Sequence, residues 1–296
     1  MLTVEEAFKK FKSRLEISGT EQSAASRRQK TIREQLNEEL DIESDFLTGA
    51  YVRDTKTKPL RDVDILIVLG PDEADYRSEH PASVLDRIRE VLVPYYGEHR
   101  VRTDRRCVRV DFGLSSVDDV SEDVMSFDVV PAFAAGDNFE IPDDMLGIWI
   151  ATNPQAHATS ATEANKAFAN QWKPVVKMLK QWNRHHGGTL EPSFLVEVLA
   201  LRLLDGPWSG SYPYEIRQFF ASAGDRLAEG WADPAKVGPP VSDVLDSDPG
   251  KMAAARTGLR EAEAACTEAL RLERAGQVGN ALTTWQSLFG PLFTKS

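Results

Sequence analysis

Cysteine is almost absent from this chain of 296 residues: only Cys107 and Cys266 occur, far apart and outside any CxxC pair. Two such residues cannot build a disulfide framework, and they read as inert thiols in a reducing cytoplasm. Long apolar runs are missing as well. The most apolar stretches, Val63 to Leu69 and Val124 to Phe133, are strand-sized and carry acids, so no membrane span is expected. The N-terminus opens Met1-Leu2-Thr3-Val4-Glu5-Glu6, with neither the basic region nor the apolar core of a secretory signal. Positive charge is in deficit: 35 Lys and Arg against 46 Asp and Glu leave a net charge of -11. Proteins that coat a nucleic-acid duplex present an excess of cations, so no long nucleic acid partner is expected. Small nucleotides held by a local basic cluster and metal ions remain compatible with this balance.

What is present is ordinary for folded domains, with 42% hydrophobic and 27% charged residues. At about 150 residues per domain the length suggests two, and the character of the sequence changes near residue 150. Residues 2 to about 40 have the spacing of one long helix, loosened at Gly19 and resumed at Ile32, Leu36 and Leu40. Residues 62–69, 107–112 and 125–130 read as strands, with an acidic loop at Asp118, Asp119, Glu122 and Asp123 between the last two. Residues 71–80 read as a loop, and 82–93 as a helix stopped by Pro94. Beyond residue 150 the pattern is helical over 162–183, with a kink expected at Pro174, and over 193–204, with Ser193 a candidate N-cap. Helix continues over 214–227 and 252–285, around a proline-rich loop at 233–249. The expectation is an α+β domain over 1–150 and an all-α domain over 151–296.

The chemistry concentrates in Leu47-Thr48-Gly49-Ala50-Tyr51 and in Asp62-Val63-Asp64-Ile65-Leu66. Two acids spaced by one residue at the start of an apolar strand share a face by strand periodicity. Side by side they repel, and a divalent cation between them relieves this. Oxygen ligands suit Mg²⁺, which pairs one or two carboxylates with substrate phosphates. Gly49 lets the backbone approach a phosphate closely, and the N–H groups of a following helix start can bind it. Lys56, Lys58 and Arg61 add positive charge nearby. A third acid, Asp128, stands inside the apolar Ser126-Phe127-Asp128-Val129-Val130-Pro131-Ala132-Phe133, where a lone carboxylate is costly unless paired or metal-bound. Asp111 competes for that role, its alternative being a pair with Arg109 or Arg106.

This order of motifs resembles the polymerase-beta-like nucleotidyltransferase superfamily, and within it the bacterial CD-NTases, relatives of cyclic GMP-AMP synthase and oligoadenylate synthase. The resemblance runs on through Val175 to Asn183 (an LK-x-W helix), Pro192-Ser193-Phe194-Leu195-Val196-Glu197, and the ending Trp285-Gln286-Ser287-Leu288-Phe289-Gly290-Pro291-Leu292-Phe293. It implies a mixed sheet with helices over 1–150, the catalytic domain with its long N-terminal helix. An all-α nucleotide-binding lobe over 151–296 would follow, with the active site in the cleft between the two. It implies that Asp62, Asp64 and Asp128 hold two Mg²⁺ or Mn²⁺ ions, and that Gly49 and Ala50 cradle the donor triphosphate. Lys180 and Ser193 would contact that triphosphate from the helical lobe, with Lys177 a weaker candidate, and Phe194 would stack on a base. The alternatives for these three are a solvated lysine, an N-cap and a core aromatic.

The implied substrates are nucleoside triphosphates. The implied product is a cyclic di- or trinucleotide that reaches a separate downstream effector in anti-phage (CBASS) signalling, with a regulatory protein partner left open. Two competing readings are a linear-product transferase and a nucleotide-binding regulator with little catalysis. Two departures stand out: Ala50 replaces the family's Ser, which leaves open that Thr48 or Thr55 compensates, that the enzyme is weak, or that the residue was substituted, and Asp54 replaces a common Gly. Arg102, Arg105, Arg106 and Arg109 read as a solvated strand face, with contact to an acidic partner or a nucleotide as the alternative, His185-His186 as no zinc site, and Trp149, Trp172 and Trp182 as core.

Overall fold

The computed structural model describes residues 2–112 and 126–295, so the acidic loop at Asp118, Asp119, Glu122 and Asp123 lies outside the described residues. Contacts group the chain into residues 17–157 and a second unit of residues 1–16 with 158–296, rather than parting it at 150. The N-terminal stretch that reads as one helix is two, α1 (Val4–Leu15) and α2 (Gly19–Leu36). A capping box breaks it: Ser18 Oγ accepts from the Glu21 N–H, and the Glu21 carboxylate accepts from the Ser18 N–H. Phe8 and Phe11 of α1 pack on Phe289 and Phe293 near the other end of the chain, which assigns α1 to the helical unit.

The unit of residues 17–157 continues through β1 (Ile42–Leu47), α3 (Gly49–Val52), β2 (Val63–Leu69), α4 (Pro81–Tyr96), β3 (Val101–Thr103) and β4 (Val108–Asp111). It ends with β5 (Ser126–Ala135), β6 (Asn138–Asp143) and β7 (Ile148–Thr152). The sheet is mixed, in the order β1-β2-β5-β4-β3, with β6 on the far half of β5 and β7 on β6. Only β2 and β5 run parallel among these pairs. Alternation sorts the side chains by face. Ile65 and Ile67 of β2, Val108 and Val110 of β4, and Phe127 and Val129 of β5 pack with α2 and α4 in the core. Leu66, Val68 and Ala132 form a separate cluster with Phe46 and Phe139, so Asp64, Arg109 and Asp128 face away from the helices.

The expected strand at 125–130 extends to Ala135. Pro131 falls where the outer partner of β5 changes from β4 to β6, a position that tolerates a missing N–H. The expected stop at Pro94 is displaced: α4 runs to Tyr96 and is closed by Gly97 at φ +88. Residues 71–78 form tight 3₁₀ turns instead of a loop.

In the helical unit, α5 (Pro154–Ala167) and α6 (Trp172–His185) replace the single helix expected over 162–183. Ala169 and Asn170 adopt φ +51 and +60 and end α5. Pro174 lies in the first turn of α6, where its missing N–H has no helical partner to lose, so it makes no kink. Next come α7 (Phe194–Leu203), α8 (Tyr212–Arg226), α9 (Asp243–Asp246), α10 (Pro249–Arg274) and α11 (Val278–Phe289). The last two are separated at Gly276, φ +74. Helix α6 is central: Trp172, Val175, Val176, Met178, Leu179 and Trp182 are all enclosed. No helix among the described residues is long and apolar enough to cross a membrane.

Candidate active site

The sheet brings the three acids together. The parallel register sets Asp64 of β2 against Asp128 of β5. Asp62 immediately precedes β2 in a left-handed conformation, φ +47, and is fastened by Ser126. Its N–H donates to Ser126 Oγ at 3.0 Å, and that hydroxyl donates to Asp62 Oδ1 at 2.8 Å. Arg109, opposite Asp128 on the antiparallel neighbour β4, grips it with both prongs: Nε to Oδ1 at 2.7 Å and NH2 to Oδ2 at 2.9 Å. The same NH2 lies 3.6 Å from Asp62 Oδ1.

Burial pushes the Asp64 carboxyl up to about 6; Lys56 pulls it down, while Asp128 adds to the rise. Burial, with Asp128 and Asp104 adding, also raises the Cys107 thiol, which keeps it protonated and inert.

Gly49 stands directly beside these acids. It opens α3 at φ +63, and a Cβ there would lie 1.7 Å from Asp64 Oδ2. The absence of a side chain is therefore what lets the turn approach the carboxylate. The buried Ala50 carbonyl accepts from the Thr55 and Lys56 N–H groups at 2.9 and 3.2 Å. Thr55 is fully enclosed and its hydroxyl also donates to that carbonyl, at 3.4 Å, so Thr55 does not stand in for the missing Ser hydroxyl. Asp54 adopts φ +55, which explains a glycine as the alternative there.

The rest of the loop is tied inward. Lys56 Nζ donates to the Asp62 carbonyl. Glu21, completely buried in α2, accepts from the Leu60 N–H at 3.0 Å and has Lys58 Nζ at 3.9 Å.

The arginine cluster is not a solvated face. Only Arg102 is exposed. Arg105 and Arg106 each donate from Nε at 2.8 Å to opposite oxygens of the fully buried Asp143, and Arg109 belongs to the acids. The sequence signal for Arg109 was its place, next to Cys107 and Val108 in an alternating strand. Reading the alternation through would have put it on the face of Asp128.

The remaining candidates lie together in the helical unit. Lys180 on α6 is buried, and its Nζ meets Glu197 Oε1 of α7 at 2.5 Å, with Glu197 itself 1% exposed. It is thus no solvated lysine. Lys177, one turn earlier, pairs with Glu16 at 2.6 Å. Ser193 is exposed, already has helical angles (φ -59, ψ -19), and makes no side-chain capping bond. Ser193 is thus the N-cap residue of α7, as expected, but its hydroxyl makes no capping bond. Phe194 is half-buried against the helical core.

A divalent cation would find carboxylate oxygens suited to Mg²⁺ in Asp62 and Asp64, close beside the open Gly49 turn. Both oxygens of Asp128 are taken by Arg109, and among the described residues no three His, Cys, Asp or Glu side chains converge on one ion position. The donor chemistry fits; the arrangement of Asp128 requires a rearrangement.

Comparison with known proteins agrees with this geometry. The family model for the Second Messenger Oligonucleotide or Dinucleotide Synthetase domain matches residues 2–165. A cyclic AMP-AMP-AMP synthase of Acinetobacter sp. is 26% identical over 318 aligned positions, covering 100% of this chain and 87% of the relative. A probable cyclic nucleotide synthase of Bacillus cereus is 25% identical, covering 83% of this chain and 80% of the relative. Among solved structures, E. coli MS115-1 CdnC in complex with HORMA-deltaN superposes with a TM-score of 0.73 at 18% identity, over 98% of both chains. Vibrio cholerae DncV cyclic AMP-GMP synthase does so with a TM-score of 0.64 at 15% identity, over 98% of this chain and 87% of that one.

Proposed function

Because the chain belongs to the Second Messenger Oligonucleotide or Dinucleotide Synthetase (SMODS) family, the CD-NTase group of nucleotidyltransferases, we propose that it joins nucleoside triphosphates into a cyclic di- or trinucleotide and releases pyrophosphate. The observation that carries this reading is the gathering of Asp62, Asp64 and Asp128 beside a glycine turn whose missing side chain opens the carboxylates.

Asp62, Asp64 and Asp128 are the ligands assigned to two Mg²⁺ or Mn²⁺ ions. When bound, these ions supply positive charge to the attacking and leaving oxygens. Gly49 and Ala50 present backbone to the donor triphosphate. Lys180, paired with Glu197, and Ser193, whose hydroxyl is not spent on a cap, are assigned to the same triphosphate. Phe194 is assigned to a base, where stacking is worth about 1–3 kcal/mol. An acceptor ribose hydroxyl, its proton passing to the Asp128 carboxylate and on to solvent, attacks the donor α-phosphorus as the P–O bond to pyrophosphate breaks and pyrophosphate leaves. A second transfer in the opposite sense closes the ring.

The relative named a cyclic AMP-AMP-AMP synthase supports a three-base ring as one of the two sizes. The solved CdnC complex with a HORMA protein supports a regulatory protein partner. A cytoplasmic role in anti-phage (CBASS) signalling, through a separate effector, completes the reading, and the net charge of -11 supports the absence of a long nucleic acid.

The test is incubation with four labelled nucleoside triphosphates and Mg²⁺ or Mn²⁺, then phosphatase digestion and chromatography. A phosphatase-resistant product that vanishes in Asp62→Asn/Asp64→Asn is expected; a product wholly digested by phosphatase overturns the cyclic assignment. Ala50→Ser should raise turnover about tenfold or more, the value of one hydrogen bond to a charged group.

A further inference from the structure

Arg109 sits between two of the three acids. Its fork takes both oxygens of Asp128, and its NH2 also reaches Asp62 Oδ1. Ser126 Oγ donates to the same Asp62 oxygen. A guanidinium is permanently charged, and its planar fork matches a carboxylate better than any other side chain does. Asp128 is itself only 8% exposed, so water does not compete strongly for it.

A cation shared by Asp62 and Asp128 needs lone pairs from both side chains aimed at one point. Two of the lone pairs of Asp128 are committed to Arg109. An ion that used the others would stand against a fixed positive charge only a few ångströms away, in a partly desolvated setting where such repulsion is strong.

We propose that Arg109 is a resident counter-ion of the acid cluster that competes with divalent cations for Asp128 and Asp62, and that it must swing off Asp128 when the metal site is completed. The inference rests on the reading of the three acids as metal ligands. It makes Arg109 a positioning residue. In the absence of metal it keeps the carboxylates neutralised and the sheet intact. Its release frees both Asp128 oxygens for the ion while β4 and β5 stay paired through their backbones. The opposite role, a brace that presents Asp128 to the metal, would use the same contacts but predicts the opposite effect on affinity.

Nucleotide-free full-length protein titrated with Mn²⁺, with free Mn²⁺ read by electron paramagnetic resonance, separates the two. Arg109→Gln should bind Mn²⁺ roughly tenfold more tightly than wild type, the scale of one charge-assisted hydrogen bond. Arg109→Lys, which keeps the charge but loses the fork, should fall between them. It carries the comparison if Arg109→Gln does not fold. Adding Asp128→Asn to Arg109→Gln should remove the gain. Equal or weaker binding by both Arg109 variants overturns the inference while leaving the metal assignment standing. No Mn²⁺ binding by folded wild type and variants overturns the assignment of the acids and the inference with it.

Discussion

Substituting Gly49 by Ala tests the site where it is tightest. Two effects combine there and can be separated. The backbone effect is the left-handed φ of +63, which costs an L-residue about 1–2 kcal/mol. For a protein of this length that is a fall in Tm of several degrees. The contact effect is the 1.7 Å between the new Cβ and Asp64 Oδ2. Relief to an ordinary contact needs a displacement of about 1.5 Å, and misplacing a reacting group by about 1 Å costs on the order of 100-fold in rate.

Gly136 supplies the control. It has nearly the same φ, +62, with nothing within 4 Å of its would-be Cβ. Gly136→Ala should therefore show the backbone part of the Tm loss alone, no larger than that of Gly49→Ala, and leave product formation unchanged, whereas Gly49→Ala should lose at least 100-fold in the labelled-nucleotide assay. Full activity in Gly49→Ala, or equal losses in the two variants, would refute the argument that the missing side chain serves the carboxylate.

Glu197→Ala should destabilise the protein by about 3–5 kcal/mol in urea unfolding, since it breaks a buried ion pair by removing one partner of Lys180. The double variant Lys180→Met/Glu197→Leu should keep most of the stability yet bind nucleoside triphosphates more weakly in equilibrium dialysis. Asp64 gives a pH signature. Its carboxyl is raised to about 6 in the folded chain, so the folded state holds a proton that the unfolded state has released between about pH 4 and 6. Stability should fall as pH rises through that window, and the urea midpoint of Asp64→Asn should show a flatter profile there. Product formation should rise over the same range as the carboxylate ionises.

The apolar strand β2 was legible because its apolar run is unbroken and nearly all of it is buried, and α6 was legible as helix, though not its start at Trp172, because its apolar face is enclosed. So were the acids, whose cost inside such runs is visible without coordinates. The strands β1, β3, β6 and β7 were not, because Ile42 to Leu47 and Asn138 to Asp143 mix charge with half-buried positions and carry neither helical nor strand alternation cleanly. The long-helix reading failed at Ser18, where a local capping box outweighs a periodicity that resumes afterwards. Arg105, Arg106 and Arg109 were misread for a different reason. Their partners Asp143 and Asp128 are distant in sequence and reached only through strand pairing, so composition alone makes them look like a wet surface. The enclosure of Lys180 was likewise not legible, because it depends on Glu197 arriving from the next helix.

The buried carboxylate of Glu21 has a consequence for how this chain can change. With the Ala50 carbonyl taking Thr55 and Lys56, and Glu21 taking Leu60, the stretch from turn to acids is measured off at both ends like a gauge block. Exchanges of side chain, such as those at Ala50 and Asp54, leave the gauge intact. A single inserted or deleted residue between Lys56 and Leu60 does not: it forces either an unpaired Leu60 N–H against a buried carboxylate or a shift of Asp62 off Ser126. The length of this segment is thus fixed more strictly than the identity of its exposed side chains, and a library built here should hold the length constant and vary only positions outside the buried Thr55, Thr57 and Leu60.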